Sequence, residues 1–206
     1  MAAFCRRHSY RGGKTPVQLM ERLRSAPASP TNLPAETLTV TVSAHVHQLR
    51  SLQTIIKNIE AAIRERVRAH PRTELLQALP GVGMINLAQI LAEVGPILDR
   101  VDSAEQAAAE CGAAPVTKAS GQSRTVHFRW AANTRARRTV TAYAHNARMQ
   151  SPWAAKLYAD ARARGKTNSH ATRIVARAWL RVIWACWHNN VPYDPASHRA
   201  VQLLNA

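Results

Sequence analysis

Acidic residues nearly vanish from the second half of this chain. Residues 113–206 contain two, Asp160 and Asp194, beside fifteen Lys or Arg, a net of +13; residues 1–112 contain ten beside thirteen, a net of +3. Metal-assisted phosphoryl transfer needs several converging carboxylates, whereas Asp99, Asp102, Glu105 and Glu110 lie scattered. The sequence offers no complete metal site. The nine histidines form no ligand-like cluster either, and His45 and His47, two apart on a helix, point to different faces. Cysteine is scarce. Cys5, Cys111 and Cys186 are odd in number and far apart, which excludes a disulfide framework and a zinc knuckle. No run reaches the roughly 18 apolar residues of a membrane span, and no apolar signal core follows the basic N-terminus. Neither membrane insertion nor export is expected.

What is abundant is positive charge. The 206 residues are 46% hydrophobic, enough for one large or two small domains with a real core. The formal charge is +16 and the pI near 11.3, a surface that attracts polyanions. A genome rich in G and C favours Arg and Ala codons, yet that bias does not by itself remove acids. The C-terminal half is therefore the expected nucleic-acid face.

Along the chain, residues 1–14 are basic and glycine-containing without core periodicity, and read as a loop. Thr15 and Pro16 suit the N-cap and first turn of a helix through "VQLMERLRSA". "PASPTNLP", residues 27–34, is a linker by its three prolines. A long helix is expected from about Pro34 to Ala69, where Val42, Leu49, Leu52, Ile56, Ile59 and Ile63 follow alternating a and d spacing. His45 takes one d position and Arg66 the next, so the seam is short, about three heptads. It reads as a coiled-coil or hairpin arm, or as an amphipathic helix packed on its own domain.

"LPGVG", residues 79–83, separates "TELLQA" from "MINLAQILAEV", two short helices by pattern. This is the arrangement of a helix-hairpin-helix. Gly81 and Gly83 would let the backbone turn tightly, and with Val82 they would present N–H groups and the positive end of the second helix to a phosphate. Such contacts are independent of base sequence. An ordinary helical turn with a glycine C-cap fits the same five residues.

Farther on, "DSAEQAAAECG" is a capped helix, with Ser103 three residues before Gln106 and Gly112 beyond its end. Residues 113–130 read as a loop and a short extended segment, with Thr125, His127 and Arg129 on one side and Val126, Phe128 and Trp130 on the other. Residues 131–149 resume helical character with Arg135, Arg137, Arg138 and Arg148, a second helix runs from Ser151 to Arg164, and a third from about Asn168 to His188. The last carries an apolar stripe of Ile174–Val175, Ala178–Trp179, Val182–Ile183 and Cys186–Trp187, bordered by Arg173, Arg177 and Arg181. Those arginines are either a solvated border or phosphate contacts. Among hydroxyl nucleophiles Ser120 stands out, because Gly121 follows it in a segment carrying Lys118, Arg124, His127 and Arg129. A serine attacking a phosphodiester needs an exposed Oγ and nearby cations, although Ser-Gly pairs also simply make turns. Ser123 is the nearest competitor.

"LPGVG", then "CGAAPVTKASGQSRTVHFRWAANTRARRTV", then "RGKTNSHATRIVARAWLRVIWACW" resemble, in this order, the C-terminal transposase domain of the bridge-RNA-guided insertion-sequence transposases. "SYRGGKTPVQLMERL" and the long helix resemble that family's coiled-coil linker, so the resemblance covers nearly the whole chain. It implies a mainly α fold: residues 1–33 as N-terminal arm and linker, 34–70 as coiled-coil helix, 71–190 as transposase C-terminal domain with the helix-hairpin-helix and a short extended segment, and 191–206 as tail. The resemblance further implies a recombinase in two catalytic parts, an N-terminal RuvC-like domain whose acidic tetrad binds magnesium and a C-terminal domain that supplies a serine nucleophile. Ser120, in "KASGQS", matches that serine. By the same mapping Lys118, Arg124, His127, Arg129, Arg135 and Arg138 would hold DNA and guide RNA, and the coiled coil would join protomers into a homo-oligomer in the bacterial cytoplasm, at the nucleoid.

This sequence departs from the family in one respect: only a few residues precede "SYRGGK", where members have the RuvC-like domain. The acidic tetrad is missing, magnesium is expected in that missing domain and not on this chain, and the sequence reads as a fragment. Two functions follow as expectations. One is the serine-bearing part of a DNA transposase; the other is a non-catalytic nucleic-acid-binding remnant.

Overall fold

The computed structural model describes residues 2–7, 10, 12–26, 34–121 and 123–198, with Ala35 and Arg124 described by backbone alone. The chain divides into two units, Met1–Gln53 and Thr54–Ala206. In the first, α1 (Ala2–Arg7) and α2 (Pro16–Arg24) flank the glycine-containing stretch. Helix α1 corrects the expectation of a loop over residues 1–14. "AAFCRR" holds no Gly or Pro and is rich in strong helix formers, and the Tyr10 N–H closes its end on the Cys5 carbonyl at 2.9 Å. Helix α2 starts as expected: the Thr15 hydroxyl accepts from the Gln18 N–H while the Gln18 side chain accepts from the Thr15 N–H. The proline linker, residues 27–34, lies outside the described residues except for Pro34.

Helix α3 (Ala35–Ala69) is one uninterrupted helix of 35 residues. Its heptad positions Val42, Leu49, Leu52, Ile56 and Ile59 are exposed, whereas Ile63 packs on a core and Val67 is buried in it. The end of the helix is thus amphipathic against its own domain, and the preceding turns leave an apolar row in water.

The second unit is helical apart from one hairpin. Its elements are α4 (Thr73–Leu76), α5 (Met84–Gln89), a π-helical turn (Ile90–Val94), α6 (Gly95–Leu98), α7 (Ala104–Glu110), β1 (Val116–Ser120), β2 (Ser123–His127), α8 (Thr134–Ala147), α9 (Pro152–Ala163) and α10 (Asn168–Asn189). Ser103, Asn133, Ser151 and Thr167 each cap a helix by accepting backbone N–H bonds. "MINLAQILAEV" does not continue as one α-helix. The Gly95 N–H reaches back five residues to the Ile90 carbonyl, and Pro96 has no N–H to extend the regular ladder.

Helix α10 is the spine of this unit, with α4, α7, α8 and α9 packed around it. Its inward residues are Val175, Ala176, Trp179, Leu180, Ile183, Cys186 and Trp187. The stripe is rotated from the expected one by about a residue, so that Ile174, Ala178 and Val182 are only half-buried. Trp179 is fully buried, with Trp153, Tyr143 and Tyr193 at ring distances of 4.9, 5.5 and 5.6 Å. Such rings hold a core, since truncating one costs roughly 3–5 kcal/mol.

The hairpin corrects the reading of residues 113–130 as a loop with one extended segment. β1 and β2 pair antiparallel in the register Val116↔His127, Thr117↔Val126, Lys118↔Thr125, Ala119↔Arg124 and Ser120↔Ser123. Two residues make the turn, and Gly121 takes φ +54°, as two-residue hairpin loops require at their first position.

Candidate nucleic-acid interface

Ser120 is the last residue of β1 and stands exposed at the tip of the hairpin, directly opposite Ser123. Residues opposite each other or two apart share a face. Lys118, Ser120, Ser123, Thr125 and His127 therefore lie on one face. Arg124 pairs with Ala119, a register position of the other face; its side chain lies outside the described part. His127 bonds to the Thr125 hydroxyl at 2.9 Å and stands at the far end of the ladder, about 13 Å from the tip. Arg129 lies beyond β2, where its Nε donates to the Ala114 carbonyl at 3.4 Å. The expected ring of cations around Ser120 is thus spread along the hairpin, with Lys118 nearest on the same face. Among the described residues no three His, Cys, Asp or Glu come together as a metal site.

The base of the hairpin is where positive charge converges. Two guanidinium groups stand over the Phe128 ring, Arg137 from α8 and Arg173 from α10, each 4.7 Å from the ring centre. Arg137 also donates to the Arg129 and Trp130 carbonyls at 2.7 and 3.2 Å, fixing the chain as it leaves the hairpin. Neither arginine forms an ion pair with a described acid. Burial, with Arg137 close by, pushes the Arg173 guanidinium below its ordinary value, a strain that an incoming anion relieves. Beside Arg173 a cavity of about 470 Å³ opens between the hairpin base and α10, lined by Pro115, Phe128, Arg129, Leu157 and Ile174. His170 lines it too, and burial together with Arg173 and Lys166 lowers its pKa.

The arginines of α10 divide by partner. Arg181 Nε and Nη2 reach Glu105 Oε1 at 2.8 and 2.6 Å, and Arg177 Nε reaches Oε2 at 3.1 Å. These hydrogen bonds hold the Glu105 carboxyl below the usual carboxylate range. Arg177 and Arg181 thus tie α10 to α7, and Arg173 is the one turned to the cationic face. Arg135 meets Glu93 only at 3.8 Å with its side chain 80% exposed. Arg138 is exposed without an ion pair to a described acid and lines the groove that also holds Arg137 and His145. The sequence left Arg173 open between a solvated border and a phosphate contact and did not bring Phe128 and Arg137 to it, because residues 128 and 173 meet only through the packing of the hairpin base on α10.

The "LPGVG" turn joins α4 to α5 as expected. Gly81 takes φ +72°, and a Cβ there would meet the Asn146 carbonyl oxygen at 2.9 Å; its N–H donates to the Gln150 side chain at 3.0 Å. Gly81 is therefore committed to the end of α8. Gly83 is different: it is exposed, has nothing within 4 Å of a built Cβ, and precedes α5 without a side-chain cap. Val82 is half-buried, its N–H bonded to the Leu79 carbonyl at 3.2 Å.

Residues 73–159, from α4 into α9 and including the whole hairpin, match the family described as Transposase IS116/IS110/IS902. That segment is similar to the transposase domain of this family. It is 30% identical over 202 residues to the insertion element IS900 uncharacterized 42 kDa protein of Mycobacterium paratuberculosis, covering 97% of this chain and 50% of the relative. It is 29% identical to the insertion element IS110 uncharacterized 43.6 kDa protein of Streptomyces coelicolor (81% and 41% covered) and 30% identical to the insertion element IS116 uncharacterized 44.8 kDa protein of Streptomyces clavuligerus (73% and 38%). The chain spans half the length of the first of these relatives and less of the others. No described helix is long and apolar enough to cross a membrane. Helix α10 falls outside the matched segment, so Phe128 and Arg137 lie inside it and Arg173 beyond it.

Proposed function

We propose that this chain is the DNA-holding and serine-bearing part of a transposase. The observation that carries the reading is the hairpin inside the matched segment. Its tip presents Ser120 to solvent, and its base gathers Arg129, Arg137 and Arg173 without paired acids. In the proposed step Ser120 Oγ attacks phosphorus, an Oγ–P bond forms, and the P–O bond to one neighbouring sugar breaks. That oxygen leaves as a hydroxyl, and the strand is held as a phosphoserine ester until a new strand's hydroxyl attacks and restores the serine. The serine proton goes to a general base as the Oγ–P bond forms, the leaving oxygen takes up a proton as it departs, and in this reading both proton carriers come from outside this chain. A RuvC-like domain with its magnesium is the expected supplier. The basic face would hold DNA and a guide RNA, and the exposed row of α3 would pair with a second copy.

The test supplies a RuvC-like domain, magnesium, guide RNA and target DNA. The wild-type chain is expected to form a covalent protein–DNA species, and Ser120→Ala to abolish it while leaving affinity within about twofold, because the hydroxyl carries no charge that binds phosphate. Loss of the adduct in Ser123→Ala with retention in Ser120→Ala would move the nucleophile across the turn. Absence of any adduct, with binding intact, would favour the non-catalytic nucleic-acid-binding reading.

A further inference from the structure

Trp130 is the most exposed of the large apolar side chains in the described structure, 82% accessible. Leaving an indole in water forgoes a large burial gain, and the other four tryptophans are buried or half-buried. Its setting is firm. The Trp130 ring meets Phe128 edge-on at 4.9 Å with planes 83° apart, Phe128 is gripped by Arg137 and Arg173, and Arg137 holds the Trp130 carbonyl. A T-shaped contact takes at most one face of the indole, and at 82% exposure the other is open to solvent. One face of a large flat ring, beside cations that lack acidic partners, is the complement of a flat ring carried on a phosphate chain.

We propose that Trp130 is a stacking platform for an unpaired nucleobase at the base of the hairpin. Bases inside a duplex have both faces covered by their neighbours, whereas an unpaired base offers a free π-face that an aromatic side chain takes regardless of base identity. A protein partner with an apolar patch would have to bury Arg129 and Arg173 unpaired, and a nucleic acid brings the counter-charge with the ring. This rests on the nucleic-acid reading above and adds to it that the bound strand is opened next to the hairpin.

The test compares an oligothymidine single strand with a blunt duplex of equal length, on the full chain. Trp130→Ala is expected to weaken single-strand binding roughly 5- to 150-fold and to leave duplex binding within about twofold, while Trp130→Phe retains most of the single-strand affinity. The single strand should also quench the solvent-exposed part of the tryptophan emission, a change missing in Trp130→Phe. Equal affinities of wild type and Trp130→Ala for the single strand would overturn the platform while leaving salt-dependent binding, and thus the nucleic-acid reading, in place. Equal losses on both nucleic acids would also overturn it, making Trp130 a general contact. Failure of the wild type to bind either would remove both proposals, and concentration-dependent burial of the Trp130 emission without nucleic acid would assign the ring to a second copy of the chain.

Discussion

A side chain at position 81 has nowhere to go, because φ is +72° and the α8 backbone lies 2.9 Å from the built Cβ. Gly81→Val is therefore expected to lower stability by roughly 3 kcal/mol or more, read as a shift in thermal midpoint. Gly83→Val, at an extended φ of −81° and in open space, should change stability by less than about 1 kcal/mol. If the start of α5 receives a phosphate, only the second variant tests it, and unchanged DNA affinity in folded Gly83→Val would reduce "LPGVG" to internal packing. Glu105 gives a residue-scale test of another kind. Its folded pKa lies below the ordinary carboxylate value because Arg177 and Arg181 bond it, so its contribution is complete above about pH 4.3 and is lost as pH falls through the folded value. Glu105→Gln should cost about 1 kcal/mol at neutral pH, with the gap to wild type closing as the pH falls through the lowered folded value. A urea midpoint difference that persists unchanged in acid would discard the clasp. The charge asymmetry of the chain was legible in the sequence, but this clasp was not. Glu105 and Arg177 stand 72 positions apart, and only the packing of α7 on α10 brings them together.

At the scale of elements, the hairpin carries the sharpest expectation. It pairs only with itself, and every described residue of it apart from Val116 is exposed; a lone two-stranded ladder is marginal in water. Its amides should exchange with less than about tenfold protection in the free chain, whereas α10 amides around Trp179 exchange only on wide opening. Adding DNA should slow the hairpin amides at least tenfold, and unchanged exchange in a saturated complex would place the binding elsewhere. Helices α2, α7 and α9 were readable because caps and breakers punctuate them: Thr15 with Pro16, Ser103, Ser151 with Pro152, and Gly165 all stand where chain direction changes, whereas α1 has no such signal before it in the sequence and reads there as loop. β1 was not, since "VTKAS" follows Pro115 and buries no face that would impose alternation. The turn signal lay in "SGQS", a glycine-led pair between residues of extended character. The alternation of α10 was read correctly in period and misjudged in phase, because Ala176 and Leu180 are as apolar as Ile174 and Ala178 and only the neighbouring helices choose between them.

At the scale of the whole molecule, α3 presents Val42, Leu49, Leu52, Ile56 and Ile59 at 53–60% exposure along one seam, an apolar row of the kind that marks an association surface. Self-association by sedimentation should rise with concentration. Leu52→Glu with Ile56→Glu should weaken it at least tenfold while circular dichroism of the helical domain persists. A wild-type chain that stays monomeric at high concentration would leave the row without its proposed partner.

The hairpin is also a lever. Its tip stands about 13 Å from the Phe128 anchorage, so about 10° of tilt sweeps the Ser120 hydroxyl through some 2 Å, where about 1 Å of misplacement lowers a reaction rate roughly a hundredfold. A serine carried on such an arm is poorly aimed until the arm itself is docked. If Ser120 is the proposed nucleophile, the strand on which the arm docks sets its aim, and DNA met without that docking is cut inefficiently.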